Sequence, residues 1–159
     1  MRRKRQGGNV LRHHTSRPIQ EQTVSDHSWG VAVICLELWP ECSKNLIKAA
    51  LYHDIHEGIL GDVPAQVKRK FYYFSEAIDR AEQVINKELG THVSLDIEEQ
   101  ERLKIADVME LLWFSVEEVE RGNNNFISVC GRCFSFLDQL PLDNKVSEMR
   151  QQLEKRYTL

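Results

Sequence analysis

Residues 46–60 read LIKAALYHDIHEGIL, with Ser43 ahead of them and Gly61 behind. Leu46, Ile47, Ala50, Leu51, Ile55 and Ile59 recur at the three- and four-residue steps of one helix face. Ser43 is a natural N-cap, and Gly58 and Gly61 mark the end of the run. Into this apolar stretch the chain inserts His53 and Asp54. Both are poor helix formers, and both are costly to bury unless hydrogen-bonded, ion-paired or bound to a metal. The same interruption occurs at His27 in SDHSWGVAVICLEL (25–38) and at Asp107 in LKIADVMELLWF (103–114).

Working outward, the rest of the chain also reads as helix. Ser25 is placed to cap a helix over 25–38 that Pro40 ends, and Val63-Pro64 opens a short helical segment toward Phe71. Residues 75–89 form an amphipathic stretch closed by Gly90, and Asp96 can cap a long helix that reaches the Gly122–Asn125 break. Further helices are expected over 126–140 and, after Pro141 and Asp143, toward Lys155. No strand alternation, internal repeat or low-complexity tract is visible, so the expected fold class is all-α.

A chain of 159 residues with 42% hydrophobic content suits one domain with one core. Its formal net charge is −3, yet the first twelve residues carry Arg2, Arg3, Lys4, Arg5 and Arg12 and no acid, so the body is more acidic than the total. That argues against a stable nucleic-acid partner. Residues 1–9 are expected as a flexible basic arm, leaving 10–159 as the domain. Gln6-Gly7-Gly8-Asn9 is polar where a secretory signal needs an apolar core, so a cytoplasmic location is expected. The longest apolar runs are broken by Glu37, His53-Asp54 and Glu110, which excludes a membrane span. Four cysteines are too few for a disulfide scaffold, and the Cys130/Cys133 pair lacks a partner pair for zinc, so Cys130 and Cys133 read as two small buried hydrophobes.

A single buried His or Asp is more often satisfied by ordinary hydrogen bonds than by a metal. Four of them on three apolar helices point instead to one shared site. His27, His53, Asp54 and Asp107 offer a mixed nitrogen and oxygen donor set for one divalent ion, with positions left for water and substrate. Glu57 stands one helical turn after His53 and can reach the same cavity as general acid, and Asp62 can enter it from the helix end. Lys68, Arg69 and Lys70 follow as candidate phosphate contacts, with a solvated basic face as the alternative. Ile19, Trp29 and Phe71 are candidates for walling a base pocket, with plain core as the alternative. His56 reads as an exposed or outlying neighbour of the site, and His92 as a loop residue.

The order His27, His53-Asp54, Asp107 resembles the HD-domain metal-dependent phosphohydrolases, whose fold is an all-α bundle. More narrowly, RHHTSRPIQEQTVSDHS (12–28), YHDIHEGILGDVPAQVK (52–68) and KIADVMELL (104–112) resemble YfbR-type 5'-deoxynucleotidases and DatZ-type dATP triphosphohydrolases. The resemblance implies metal ligation by His27, His53, Asp54 and Asp107, with Glu57 and Asp62 beside the reacting phosphate. It places Arg12 where the nucleotidases hold phosphate and sugar. His13 stands where they carry a tryptophan associated with selecting deoxyribose, and Asp26 stands where Glu is usual. His14-Thr15 is similar to the DatZ type, and Arg12, Arg17 and Lys68 suit a longer phosphate chain. The implied activity is hydrolysis of dATP to deoxyadenosine and triphosphate, with action on deoxynucleoside monophosphates as the alternative. The implied cofactor is one divalent ion, Co, Mn, Zn or Mg, and the implied assembly a homo-oligomer, a dimer or a ring of dimers. A catalytically idle nucleotide-binding domain and a cyclic-nucleotide or alarmone phosphodiesterase are further readings, which the complete ligand set and the short chain disfavour.

Overall fold

A computed structural model describes residues 1–158, with side chains described at all of these but 65, 66 and 69. The helices are α1 (Arg2–Gly7), α2 (Val24–Leu38), α3 (Lys44–Tyr52), α4 (Glu57–Leu60), α5 (Ala65–Lys70), α6 (Tyr72–Leu89), α7 (Ile97–Glu120), α8 (Ile127–Leu137) and α9 (Asn144–Tyr157), with a 3-10 turn at Asn124–Phe126. Among the described residues there is no strand ladder, only one isolated bridge between Leu11 and Thr23. No described helix is long and apolar enough to cross a membrane.

The helix ends follow the capping chemistry of the sequence. Ser43 accepts from the amides of Asn45 and Leu46, and Asp96 forms a reciprocal capping box with Glu99. Gly90 closes α6 in the left-handed conformation, which a residue without Cβ adopts at little cost. Several expected boundaries differ, among them the helix expected over 126–140, which ends at Leu137. Helix α2 is capped by Thr23 rather than Ser25, because Thr23 and Asp26 form a second capping box. Helix α6 begins at Tyr72, earlier than 75. The helix expected through Ile59 ends at Tyr52, with His53 as its C-cap, and turns before α4 starts at Glu57.

Helix α7 is the axis of the molecule, packed by α2, α3, α8 and α9. Ala106, Met109, Leu112 and Val116 form its fully buried stripe, meeting Val31, Cys35, Leu46, Phe126 and Leu137. Each of the fully buried valine, leucine, methionine and phenylalanine side chains contributes about 1.5–3 kcal/mol. The Cys130 and Cys133 thiols are buried and free, as read from the sequence, and the Cys35 thiol is buried and free as well.

A second stripe of α7, Glu110, Phe114 and Glu118 at four-residue steps, receives the segment between α1 and α2. Arg12 N–H donates to the Gln22 carbonyl and Val24 N–H to the Val10 carbonyl, closing the ends of that segment. The buried Glu118 carboxylate accepts from the amides of Ile19 (2.6 Å) and Gln20 (3.0 Å) and from Asn123 (2.7 Å).

Residues 2–7, expected as a flexible arm, form a helix docked on the turn after α3. A Cβ on Gly58 would lie 2.7 Å from Gly7 Cα, so two backbones meet where neither residue carries a side chain. Lys4 Nζ donates to the Gly90 carbonyl at 3.1 Å and lies over the Tyr52 ring.

Candidate active site

Helices α2, α3 and α7 deliver the site. His27 sits in the first turn of α2, fully buried, and His53 and Asp54 are carried by the turn after α3. Asp107 projects from the middle of α7. The donor atoms of His27, His53 and Asp107 all lie within 4.8 Å of one another. Asp54 Oδ2 stands beside them, 3.3 Å from His53 Nε2 and 3.7 Å from His27 Nε2, with Arg12 Nη1 at 2.5 Å.

Hydrogen bonding behind the rings fixes what they offer. His53 Nδ1–H donates to the Ala50 carbonyl at 2.8 Å, and His27 Nδ1–H donates to the Glu110 carboxylate. In the neutral rings both Nε2 atoms therefore carry lone pairs, and they face each other at 3.1 Å. Two lone pairs cannot satisfy each other. A cation between them and the carboxylates can, so the donor set fits a divalent metal ion.

A cavity of about 420 Å³ opens from this cluster. Arg12, His13, Asp54, Glu57, Asp62 and Lys68 line it on one side, with Lys104 and Asp107 of α7. Val108, Leu111, Val129, Cys133 and Phe136 make an apolar wall on α7 and α8, where Arg132 is also exposed to the cavity. Sequence reasoning missed that wall, because periodicity cannot separate an apolar side chain facing a cavity from one facing the core.

Glu57 Oε2 is buried with no hydrogen-bond partner. Burial first, then the neighbouring Asp54 and, more weakly, Asp62, push its carboxyl up to about 8. Asp107 moves the other way: burial would raise it, but His27, whose Nε2 lies 3.2 Å away, and the Lys104 charge hold it well below the usual carboxylate range. His14 Nδ1 lies 3.3 Å from Asp62 Oδ2, which ties Asp62 to the loop of Arg12. Lys68 is paired with Glu82 at 2.6 Å, and Lys104 with Asp107 at 2.9 Å. Burial pushes the Cys133 thiol up to about 12, so it is an apolar wall and not a nucleophile.

Several expected contacts lie elsewhere. Trp29 is 67% exposed, because two residues beyond His27 on a helix is nearly the opposite face. Ile19 is 59% exposed, its amide being spent on Glu118, and Phe71 is 53% exposed. Arg17 is exposed, outside the cavity lining, with its carbonyl accepting from Asn123. His56 is buried rather than exposed and pairs with Glu82 at 3.3 Å. The side chain of Arg69 lies outside the described residues.

A family model described as 5'-deoxynucleotidase YfbR-like matches residues 8–156. The chain belongs to the YfbR-like family. It is a hydrolase by family, with His27, His53 and Asp107 forming a group that could hold a metal ion. Three solved structures share the fold of this YfbR-like chain. The cyanophage S-2L HD phosphohydrolase DatZ, bound to dA and one catalytic Zn2+ ion, is 17% identical, with 99% of this chain and 96% of that one covered and a TM-score of 0.73. A Pyrococcus horikoshii protein is 18% identical over 97% and 96%, with a TM-score of 0.75. An HD-domain phosphohydrolase from Listeria innocua is 20% identical over 99% and 95%, with a TM-score of 0.70. No curated protein matches the chain by sequence.

Proposed function

We propose that this chain hydrolyses the 5' phosphoester of deoxynucleotides, with dATP converted to deoxyadenosine and triphosphate. The observation that carries the reading is the meeting of two imidazole lone pairs, two carboxylates and the unpartnered Glu57 at one end of a single cavity. His27, His53, Asp54 and Asp107 would hold the ion. Such an ion, when bound, supplies Lewis acidity toward a phosphoryl oxygen and makes water nucleophilic near neutral pH.

The chain's own groups manage the rest. Arg12, beside Asp54, presents its guanidinium to the phosphoryl oxygens. Water attacks the α-phosphorus and the bond to the 5' oxygen breaks. Asp62 accepts the proton of the attacking water. Glu57, whose carboxyl keeps its proton at neutral pH, donates that proton to the departing 5' oxygen. Val108, Leu111, Val129 and Phe136 form an apolar surface suited to a base. Lys68 and Lys104 line the cavity paired with Glu82 and Asp107, and Arg132 adds positive charge beyond Arg12, which supports a substrate with more than one phosphate.

Action on deoxynucleoside monophosphates is the second reading, favoured by the description of the family. Product analysis with added Co2+ or Mn2+ on a panel of dNTPs, dNMPs and NTPs separates them, with Asp54→Ala as control. Deoxyadenosine and intact triphosphate from dATP support the first reading. Phosphate from several dNMPs supports the second, and silence across the panel refutes both.

A further inference from the structure

Behind the metal cluster runs a chain of hydrogen bonds that ends in the cavity. His27 Nδ1–H donates to Glu110 Oε2, and Gln22 Nε2–H donates to Glu110 Oε1 at 2.7 Å. Gln22 Oε1 then faces His13 Nε2 at 3.1 Å. The direction of every bond follows from its first member. A carboxylate only accepts, so Gln22 must turn its amide nitrogen toward Glu110 and its oxygen toward His13. An amide oxygen also only accepts, so His13 must carry its proton on Nε2. Its Nδ1 is then a bare lone pair. Among the described residues Nδ1 has no hydrogen-bond partner and it is not one of the buried unpartnered atoms, while His13 is one of the residues that line the cavity.

The rest of the surroundings hold that ring still. His13 stacks on Phe114 at 5.0 Å between centroids and meets the edge of Phe126 at 5.5 Å. Its backbone has φ 60, a left-handed conformation that a residue with Cβ adopts at a cost when its neighbours require it. Gly30 faces Glu110, with no room for a side chain between them.

We propose that Glu110 and Gln22 are positioning residues that fix the tautomer of His13, making His13 Nδ1 a hydrogen-bond acceptor that selects substrates presenting a donor there. The donor is a neutral N–H or O–H, either a sugar hydroxyl or an exocyclic amino group of the base. The selectivity rests on the nucleotide reading above; the tautomer does not.

The first test is therefore independent of catalysis. In the 15N spectrum of the imidazoles, with and without zinc, His13 Nε2 will show the protonated signature and Nδ1 the bare one. Glu110→Gln in the zinc-loaded protein should invert this. The new amide must accept from His27 and so offers its NH2 to Gln22, which flips and leaves His13 protonated on Nδ1. Gln22→Met, which breaks the chain without adding polarity, should leave His13 a mixture of both forms. A wild-type His13 protonated on Nδ1, or a tautomer indifferent to both substitutions, overturns the proposal. The second test compares His13→Phe with wild type on dATP, its 2',3'-dideoxy analogue and the purine analogue lacking the 6-amino group. A loss of about tenfold in kcat/KM, the size of one hydrogen bond, should vanish for whichever analogue lacks the donor. An equal loss on all three refutes selection by His13, while inactivity of the wild type on all three refutes the nucleotide reading and leaves the tautomer assignment to the spectra.

Discussion

Gly30→Ala tests whether Glu110 is held where the metal cluster needs it. Gly30 lies one turn beyond His27 on α2, and a methyl there would stand 2.8 Å from Cγ and 3.1 Å from Oε1 of Glu110. On an unobstructed helix the change would stabilise by about 0.5–1 kcal/mol, because alanine loses less backbone entropy than glycine. Here the methyl displaces a carboxylate that accepts from both His27 and Gln22. Hydrogen bonds to a charged group are worth about 1.5–3 kcal/mol each, so partial loss of the pair outweighs the helix gain and leaves a deficit of about 1–3 kcal/mol. At this chain length that is a drop of roughly 2–10 °C in Tm. Releasing the partner of a metal-binding imidazole should also weaken zinc by about 10–100-fold. Urea unfolding of the metal-free protein and calorimetric zinc titration measure the two effects separately. A variant more stable than wild type, with undiminished zinc affinity, would refute the reasoning.

Three further outcomes follow from the same geometry. Burial, with the Arg12 charge, lowers His13 from 6.5 to about 4, so between those values the unfolded chain binds more protons than the native one. The stability that His13 contributes is complete above 6.5 and is lost as pH falls toward 4, by at most about 3 kcal/mol. Unfolding curves should show wild type losing ground to His13→Phe over that window, and parallel curves would contradict the assignment. Glu57→Gln keeps the shape of a neutral carboxyl but has no proton to donate, so kcat should fall by about 10²–10⁴ with zinc affinity unchanged; retained turnover would remove Glu57 from the reaction. Gly58→Ala puts a methyl against the backbone of Gly7, which has no rotamer to change. It should cost about 1–3 kcal/mol and speed tryptic cleavage within Arg2–Arg5, whereas unchanged cleavage would mean α1 is not held by that contact.

Much of this molecule is legible in its sequence because cost is legible. His27, His53, Asp54 and Asp107 stand out as expensive groups inside apolar runs, and they converge. Glu110 meets the same criterion, breaking the run LKIADVMELLWF, yet its partner depends on which face of α7 meets the loop, and a single helix does not reveal that. Gln22 carries no signal at all, since an amide in a polar segment is ordinary until a carboxylate is found behind it. Ile19 and Trp29 mislead for the opposite reason: aromatic and branched residues near a site suggest a pocket, but backbone bonding and helix phase turn them to the surface. The helix caps at Ser43, Asp96 and Gly90 are readable because each acts within four residues. The break at His53 is not, because no glycine or proline marks it and the nearest glycines, Gly58 and Gly61, lie further on.

The segment that carries Arg12 and His13 is held by the chain's own contacts, latched at its ends by the Leu11–Thr23 bridge and along its length by Glu118. A loop that had to close over each ligand would lose part of the contact energy to its own ordering, and only the fraction of molecules in the closed form would bind. Here that fraction is set during folding. Ligand binding should be a single kinetic phase whose rate rises linearly with concentration, and loosening the latch should weaken affinity through slower association as well as faster release.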